Sequence, residues 1–204
     1  MAETKKVILD AGHGGTTDPG AVYQGRQEKN DNLRMALAVG QILSEDGVDV
    51  GYTRVQDVYQ SPLQKAQMAN NWEADYFVSF HRNAMPVPGT ASGTESLIFS
   101  RGGEAEQLAS NINAELGQAG WNDLGTTERP GLIVLRKTEM PAVLVEVGFL
   151  DNPEDNQRFD AQFEHTARAI ADGILNTLRS PEGQPEYYQI QVGAYADKDL
   201  AQGL

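Results

Sequence analysis

Cysteine is missing altogether from these 204 residues. That one absence removes disulfides, thiolate metal sites and a thiol nucleophile, so a zinc site would have to be built from His, Asp and Glu. It does not decide compartment, since secreted proteins are built with and without disulfides. Histidine is nearly as scarce, at three, and each can be weighed separately. Positive charge is short: 16 Lys and Arg stand against 29 Asp and Glu, for a formal net charge of −13. This argues against a nucleic-acid partner, because duplex binding rests on basic side chains that neutralise phosphates. Long apolar runs are lacking too, and none approaches the ~20 residues of a membrane helix. Near the start, MAETKKVILDAGH has an apolar stretch of only Val7, Ile8 and Leu9 before Asp10 interrupts it. A secretory leader needs ~7–15 apolar residues, so none is expected in this chain.

What is present is ordinary: 40% hydrophobic and 22% charged residues, the composition of a folded domain. Apolar runs of strand length alternate with segments of helical period, which predicts a single three-layer α/β domain. Its core would be a twisted, mostly parallel sheet of about six strands with helices on both faces. Strands are predicted at Lys5–Ala11, Val48–Arg54, Asp75–His81, Gly93–Ser100, Leu132–Leu135 and Ala142–Val147. Helices are predicted at about Asn30–Glu45, from Ser61-Pro62 to near Trp72, at Glu104–Gly117 and at Asp160–Arg179. The last has the cleanest apolar stripe, running from Phe163 through Ala167, Ile170 and Ile174 to Leu178. After Ser180 the composition changes, dividing the chain into a domain over 1–180, a Pro- and Gly-bearing linker over 181–186 and a short segment over 187–204.

His13 lies in a glycine-rich turn at the end of the first strand, and His81 ends the third. Ligands of open α/β sheets bind at the carboxyl ends of strands, so both can reach one crevice. His165 falls about 200° around its helix from Phe163 and should face solvent. Glu146 stands inside the apolar run AVLVEVGF, where an acid is costly unless paired, hydrogen-bonded or metal-bound. An ion pair with Arg82 or Arg129 is its structural alternative. Glu28, taken alone, reads as an acid stabilised by a helix N-terminus. Taken together, two His and one Glu with an open fourth position make a catalytic zinc site, and a further Glu supplies a base.

Four blocks now combine in order: VILDAGHGGTTDPGA, QEKNDNL, VSFHRNA and PAVLVEVGFLDN. Together they resemble the signature of the zinc-dependent N-acetylmuramoyl-L-alanine amidases of the "amidase 3" type, over roughly Lys5 to Arg179. The resemblance implies Zn2+ held by His13, Glu28 and His81, with Glu146 as the catalytic acid/base. It implies peptidoglycan as substrate and partner, cut between N-acetylmuramic acid and L-alanine, with action on the bacterial cell wall by a monomer. Arg82 stands where the family pattern often has a small residue, and Arg82 and Asn83 are expected to touch substrate. The tail YYQIQVGAYADKDLA resembles the opening of a SPOR module, a sporulation-related repeat that binds peptidoglycan. Two other readings are another zinc amidohydrolase acting on an acyl-amino acid and a non-catalytic wall-binding protein.

Overall fold

The computed structural model describes residues 4–179; the SPOR-like segment and its linker lie outside the described residues. The elements in chain order are β1 (Lys6–Ala11), β2 (Val22–Tyr23), β3 (Arg26–Gln27), α1 (Glu28–Glu45), β4 (Asp49–Tyr52), α2 (Pro62–Asn71) and β5 (Tyr76–Asn83). They continue with β6 (Thr94–Ile98), α3 (Gly103–Gln118), β7 (Asp123–Glu128), α4 (Ile133–Arg136), β8 (Ala142–Phe149), α5 (Pro153–Ala161) and α6 (Phe163–Arg179). The six-stranded sheet has the order β4-β1-β5-β8-β6-β7. β4, β1, β5 and β8 run parallel, and β6 pairs antiparallel with β8.

Alternation along the strands sorts side chains to two faces. Val7, Leu9, Val78, Phe80, Val143 and Val145 enter one buried layer with Met35 of α1, Ile112 of α3 and Ile170 of α6. Ile8, Phe77 and Leu144 enter the other, against Ala69 of α2 and Val134 and Leu135 at α4. Each fully buried Leu or Phe contributes on the order of 1.5–3 kcal/mol over its exposed state, so the central strands are held from both sides. α2 starts where Ser61-Pro62 predicts: Ser61 and Gln64 form a reciprocal capping box.

Besides the unpredicted two-residue strands β2 and β3, which pair only with each other, three segments differ from the sequence expectation. Leu132–Leu135 is not a strand; Ile133–Arg136 makes one helical turn whose Val134 and Leu135 pack on the α2 face. A four-residue apolar run has no period that separates strand from buried turn. β7, DLGTTE, escapes a hydrophobic-pattern search because it is a half-exposed edge strand paired only with β6. The closing segment is two helices, α5 and α6, parted at Gln162, whose backbone turns out of helical geometry at φ −118° and ψ 25°.

Candidate active site

The register that builds the sheet also builds the crevice. Ala11 pairs with Phe80 across β1–β5, and His81 pairs with Glu146 across β5–β8. The carboxyl ends of the three central strands therefore carry the Gly12–His13 turn, His81 and Glu146 side by side. α1 begins at Glu28 rather than near Asn30, so Glu28 occupies its first residue and points at the same place.

Buried polar groups hold the turn after β1. Asp10 is 1% exposed; its carboxylate accepts bonds from Thr53 Oγ1 at 2.7 Å, from Ser79 Oγ at 2.6 Å and from Lys65 Nζ at 2.7 Å. Burial alone would raise the Asp10 pKa, but the Lys65 charge and these bonds hold it below its ordinary value. Lys65 Nζ also donates to the Ala11 carbonyl at 2.7 Å, and Arg54 donates to the carbonyls of Ala11, Gly12 and Lys29. The carbonyl groups where β1 ends thus have fixed partners, as buried backbone requires. His13 itself takes φ 61°, a left-handed conformation that a non-glycine residue adopts only when its surroundings enforce it.

Two glycines make room. A Cβ on Gly12 would lie 2.3 Å from His81 Nε2, and one on Gly20 would lie 2.6 Å from both Glu28 Oε2 and His13 Cδ2. Only glycine lets the backbone pass this close to the three side chains.

Glu28 is the hub. Its Oε2 lies 3.2 Å from His13 Nε2 and its Oε1 lies 2.8 Å from His81 Nδ1. It also accepts bonds from the backbone amides of Ala21 and Arg82 and from Asn32 Nδ2. Burial pushes its pKa up, yet the two histidines outweigh burial and hold it far below the usual carboxylate range. His13 is pulled down by burial and raised more strongly by Glu28 and by Asp18, whose Oδ1 lies 2.7 Å from Nδ1. One ligating atom from each of His13, Glu28 and His81 fits within 4.8 Å of the others. Two imidazoles and a carboxylate are the donor set of a catalytic zinc site, and the Asp18–His13 contact is the outer bond that orients such a ligand.

Glu146 stands outside that trio. It faces His81 on one side and Glu95 on the other in the strand registers. Burial, reinforced by the negative Glu28 and Glu95 and opposed by His81 and His13, pushes its pKa up to about 7. Its Oε2 has no hydrogen-bond partner among the described residues. The ion pair with Arg82 or Arg129 that sequence allowed is absent among them. Beside these groups opens a cleft of about 350 Å3, whose lining includes Asp10, Lys65 and Leu144, Gln60 and Pro62 before and within α2, and residues 131–134 before and within α4.

Arg82 corrects the sequence expectation. Its side chain is 1% exposed and bonds Asp31 at 2.7 Å and Asn156 Oδ1 at 2.8 Å, with the guanidinium carbon 4.2 Å from the Phe159 ring centroid. A guanidinium so committed has nothing left for substrate. Following a ligand in sequence placed it next door, but strand alternation sends adjacent side chains to opposite faces. Arg82→Ala should therefore lower unfolding stability by about 3 kcal/mol, the cost of breaking a buried pair, while KM stays unchanged. A raised KM at unaltered stability would restore it to the cleft. Asn83 is half-buried and donates to Glu95 Oε1 at 3.0 Å. His165 is exposed on α6, as its helical position predicts.

The supporting residues Asp18, Asp10, Lys65, Gly12 and Gly20 escaped sequence reasoning. Asp18 carried a signal, lying five residues after His13 in the same turn. Lys65 carried none, because a lysine on a helix reads as solvated.

Comparison with known proteins places this fold in a family. The family profile described as N-acetylmuramoyl-L-alanine amidase matches residues 7–176. A sporulation-specific N-acetylmuramoyl-L-alanine amidase of Bacillus subtilis is 35% identical over 98% of this chain and 78% of its own length. Among solved structures, an N-acetylmuramoyl-L-alanine amidase from Clostridium difficile 630 superimposes with TM-score 0.83 at 33% identity, covering 88% of this chain and 99% of that one. The catalytic domain of an amidase from Bacillus (Paenibacillus) polymyxa gives TM-score 0.79 at 36% identity, covering 86% and 98%.

Proposed function

The chain belongs to the N-acetylmuramoyl-L-alanine amidase family, and from that premise we propose a zinc-dependent peptidoglycan hydrolase acting on the bacterial cell wall. The bond cleaved is the amide between the lactyl group of N-acetylmuramic acid and the L-alanine of the stem peptide. The observation that carries the metal reading is the convergence of His13, Glu28 and His81 within 4.8 Å, in a pocket that Gly12 and Gly20 keep clear. His13, Glu28 and His81 would hold the ion, and Asp18 orients the His13 ring. When bound, zinc supplies Lewis acidity and brings the ionisation of water down to roughly neutral pH.

Glu146 takes the proton from the attacking water and returns it to the departing amine. Its environment suits both halves, since a carboxyl with a pKa near 7 exchanges protons readily at neutral pH. The buried Asp10–Lys65 pair fixes the turn that carries His13, and so positions without touching the reacting atoms. A role in sporulation-linked wall lysis is supported by the likeness to the sporulation-specific relative.

Purified cell wall digested with the protein should gain new N-terminal alanine. Chelator should suppress that gain, and stoichiometric zinc should restore it. New N-termini of another residue would overturn the bond assignment, and chelator-insensitive cleavage would overturn the metal.

A further inference from the structure

The segment between β4 and α2 is rigid yet apolar at its surface. Asp57 is held by Lys29 Nζ at 2.6 Å and by the Gly15 amide at 2.8 Å, and Arg54 Nη1 donates to the Gln56 carbonyl. The segment lies against Gly15 so closely that a Cβ there would be 2.9 Å from the Tyr59 backbone nitrogen. Ser61 closes it with the α2 capping box. From this fixed frame Val55, Val58 and Tyr59 are 61%, 38% and 51% exposed. Leu63 and Met68 of α2 continue the series, so five of the twelve exposed large hydrophobic side chains among the described residues fall between 55 and 68. Single exposed apolar residues are ordinary, but such a concentration on an anchored segment beside a cleft is a candidate binding surface. It adjoins the cleft through Gln60 and Pro62.

A muramoyl peptide has two arms, a neutral sugar chain and a peptide bearing carboxylates, and two segments of the cleft's lining differ to match. On the Tyr59 side the exposed charge is Asp57, and the nearby cations Lys29 and Arg54 are buried and bonded. An anionic arm gains nothing there. The other lining segment, residues 131–134, is flanked in sequence by Arg129, Arg136 and Lys137. All three are exposed and form no ion pair with a carboxylate among the described residues, against the two exposed acids Glu128 and Glu139. In a chain of net charge −13, this is where a carboxylate is best received.

We propose that Tyr59 is a glycan platform: the sugar chain of peptidoglycan crosses the Tyr59 rim and the stem peptide leaves over the α4 wall. This orientation rests on the amidase reading above. The ring offers a flat apolar face for the C–H face of a pyranose. Its hydroxyl has no hydrogen bond among the described residues, so nothing in the fold depends on it.

The test uses the whole protein and three measurements. With intact peptidoglycan, Tyr59→Ala should raise KM ~3–10-fold with kcat unchanged, the loss of about one aromatic contact. Tyr59→Phe should behave like the parent, and Tyr59→Leu, which keeps bulk without a flat ring, should fall between. Peptide-free glycan chains should bind Tyr59→Ala weaker by the same factor, while a free L-Ala-D-Glu peptide binds it unchanged. Lost peptide affinity with intact glycan affinity would reverse the orientation, and unchanged values for both would remove Tyr59 from the groove. A parent protein that binds glycan chains through Tyr59 but releases no N-terminal alanine would sink the amidase reading and leave the platform standing.

Discussion

Glu146→Gln should keep the fold and the metal content while hydrolysis of purified wall falls by ~10²–10⁴-fold, the usual worth of a positioned general base. Gln preserves shape and removes only the ability to carry a proton. Near-parental turnover would refute the role, and loss of metal along with activity would make Glu146 a ligand instead. The same substitution has a second readout in the metal-free protein. The carboxyl's pKa rises from 4.5 in the unfolded chain to about 7 in the folded one, chiefly through burial. Below pH 4.5 both states hold the proton. Between the two values only the folded state does, and above pH 7 the folded state must release it into a site that bonds one oxygen poorly. The stabilisation is thus full at low pH and is lost as pH climbs through 7. Gln never ionises, so the melting temperature of Glu146→Gln relative to the parent should rise between pH 5 and pH 9. Each kcal/mol recovered is worth roughly 2–4 °C in a domain of this size. A difference that does not change with pH would show that the side chain is well solvated.

Gly12→Ala should be as damaging without touching any chemical group. The added Cβ would overlap the His81 ring, with Nε2 at 2.3 Å and Cε1 at 2.4 Å. The backbone around Gly12 cannot yield, because its carbonyl is bonded by Arg54 and Asn32 and its amide donates to the Phe80 carbonyl. The imidazole must swing away from Glu28 instead. Metal content measured on the purified variant should drop well below one ion per chain, with activity falling in proportion, while circular dichroism stays native. Retention of full metal occupancy would mean that the sheet end relaxes more easily than its hydrogen bonds imply.

Much of the architecture could be read from side-chain pattern alone. β1, β5 and β8 are runs such as KVILDA and AVLVEVGF, whose length and apolarity leave no alternative to a strand covered on both faces. α2 announces itself by Ser61-Pro62, and α6 by its apolar stripe. Where local pattern is weak the reading failed. Leu132–Leu135 is too short to show a period, and β7 is an edge strand whose polar side chains need no burial.

The site divides along the same line. His13, His81 and Glu146 could be picked out by their places, two imidazoles at strand ends and an acid in an apolar strand. Glu28 alone reads as a helix N-terminal acid and joined them only through the four-block resemblance. Arg82 deceived, since adjacency in sequence promised adjacency to substrate, whereas the pleat turned it towards Asp31 and Phe159. Asp10 with Lys65, and the clearance provided by Gly12 and Gly20, belong to the tertiary structure alone. Sequence by itself determined which residue types could bind an ion and which strongly patterned segments would be strands and helices, because those properties live within a few neighbours. Only the folded chain decided which of them meet, because strand register and buried hydrogen bonds act between residues 40 to 70 positions apart, where no local pattern records them.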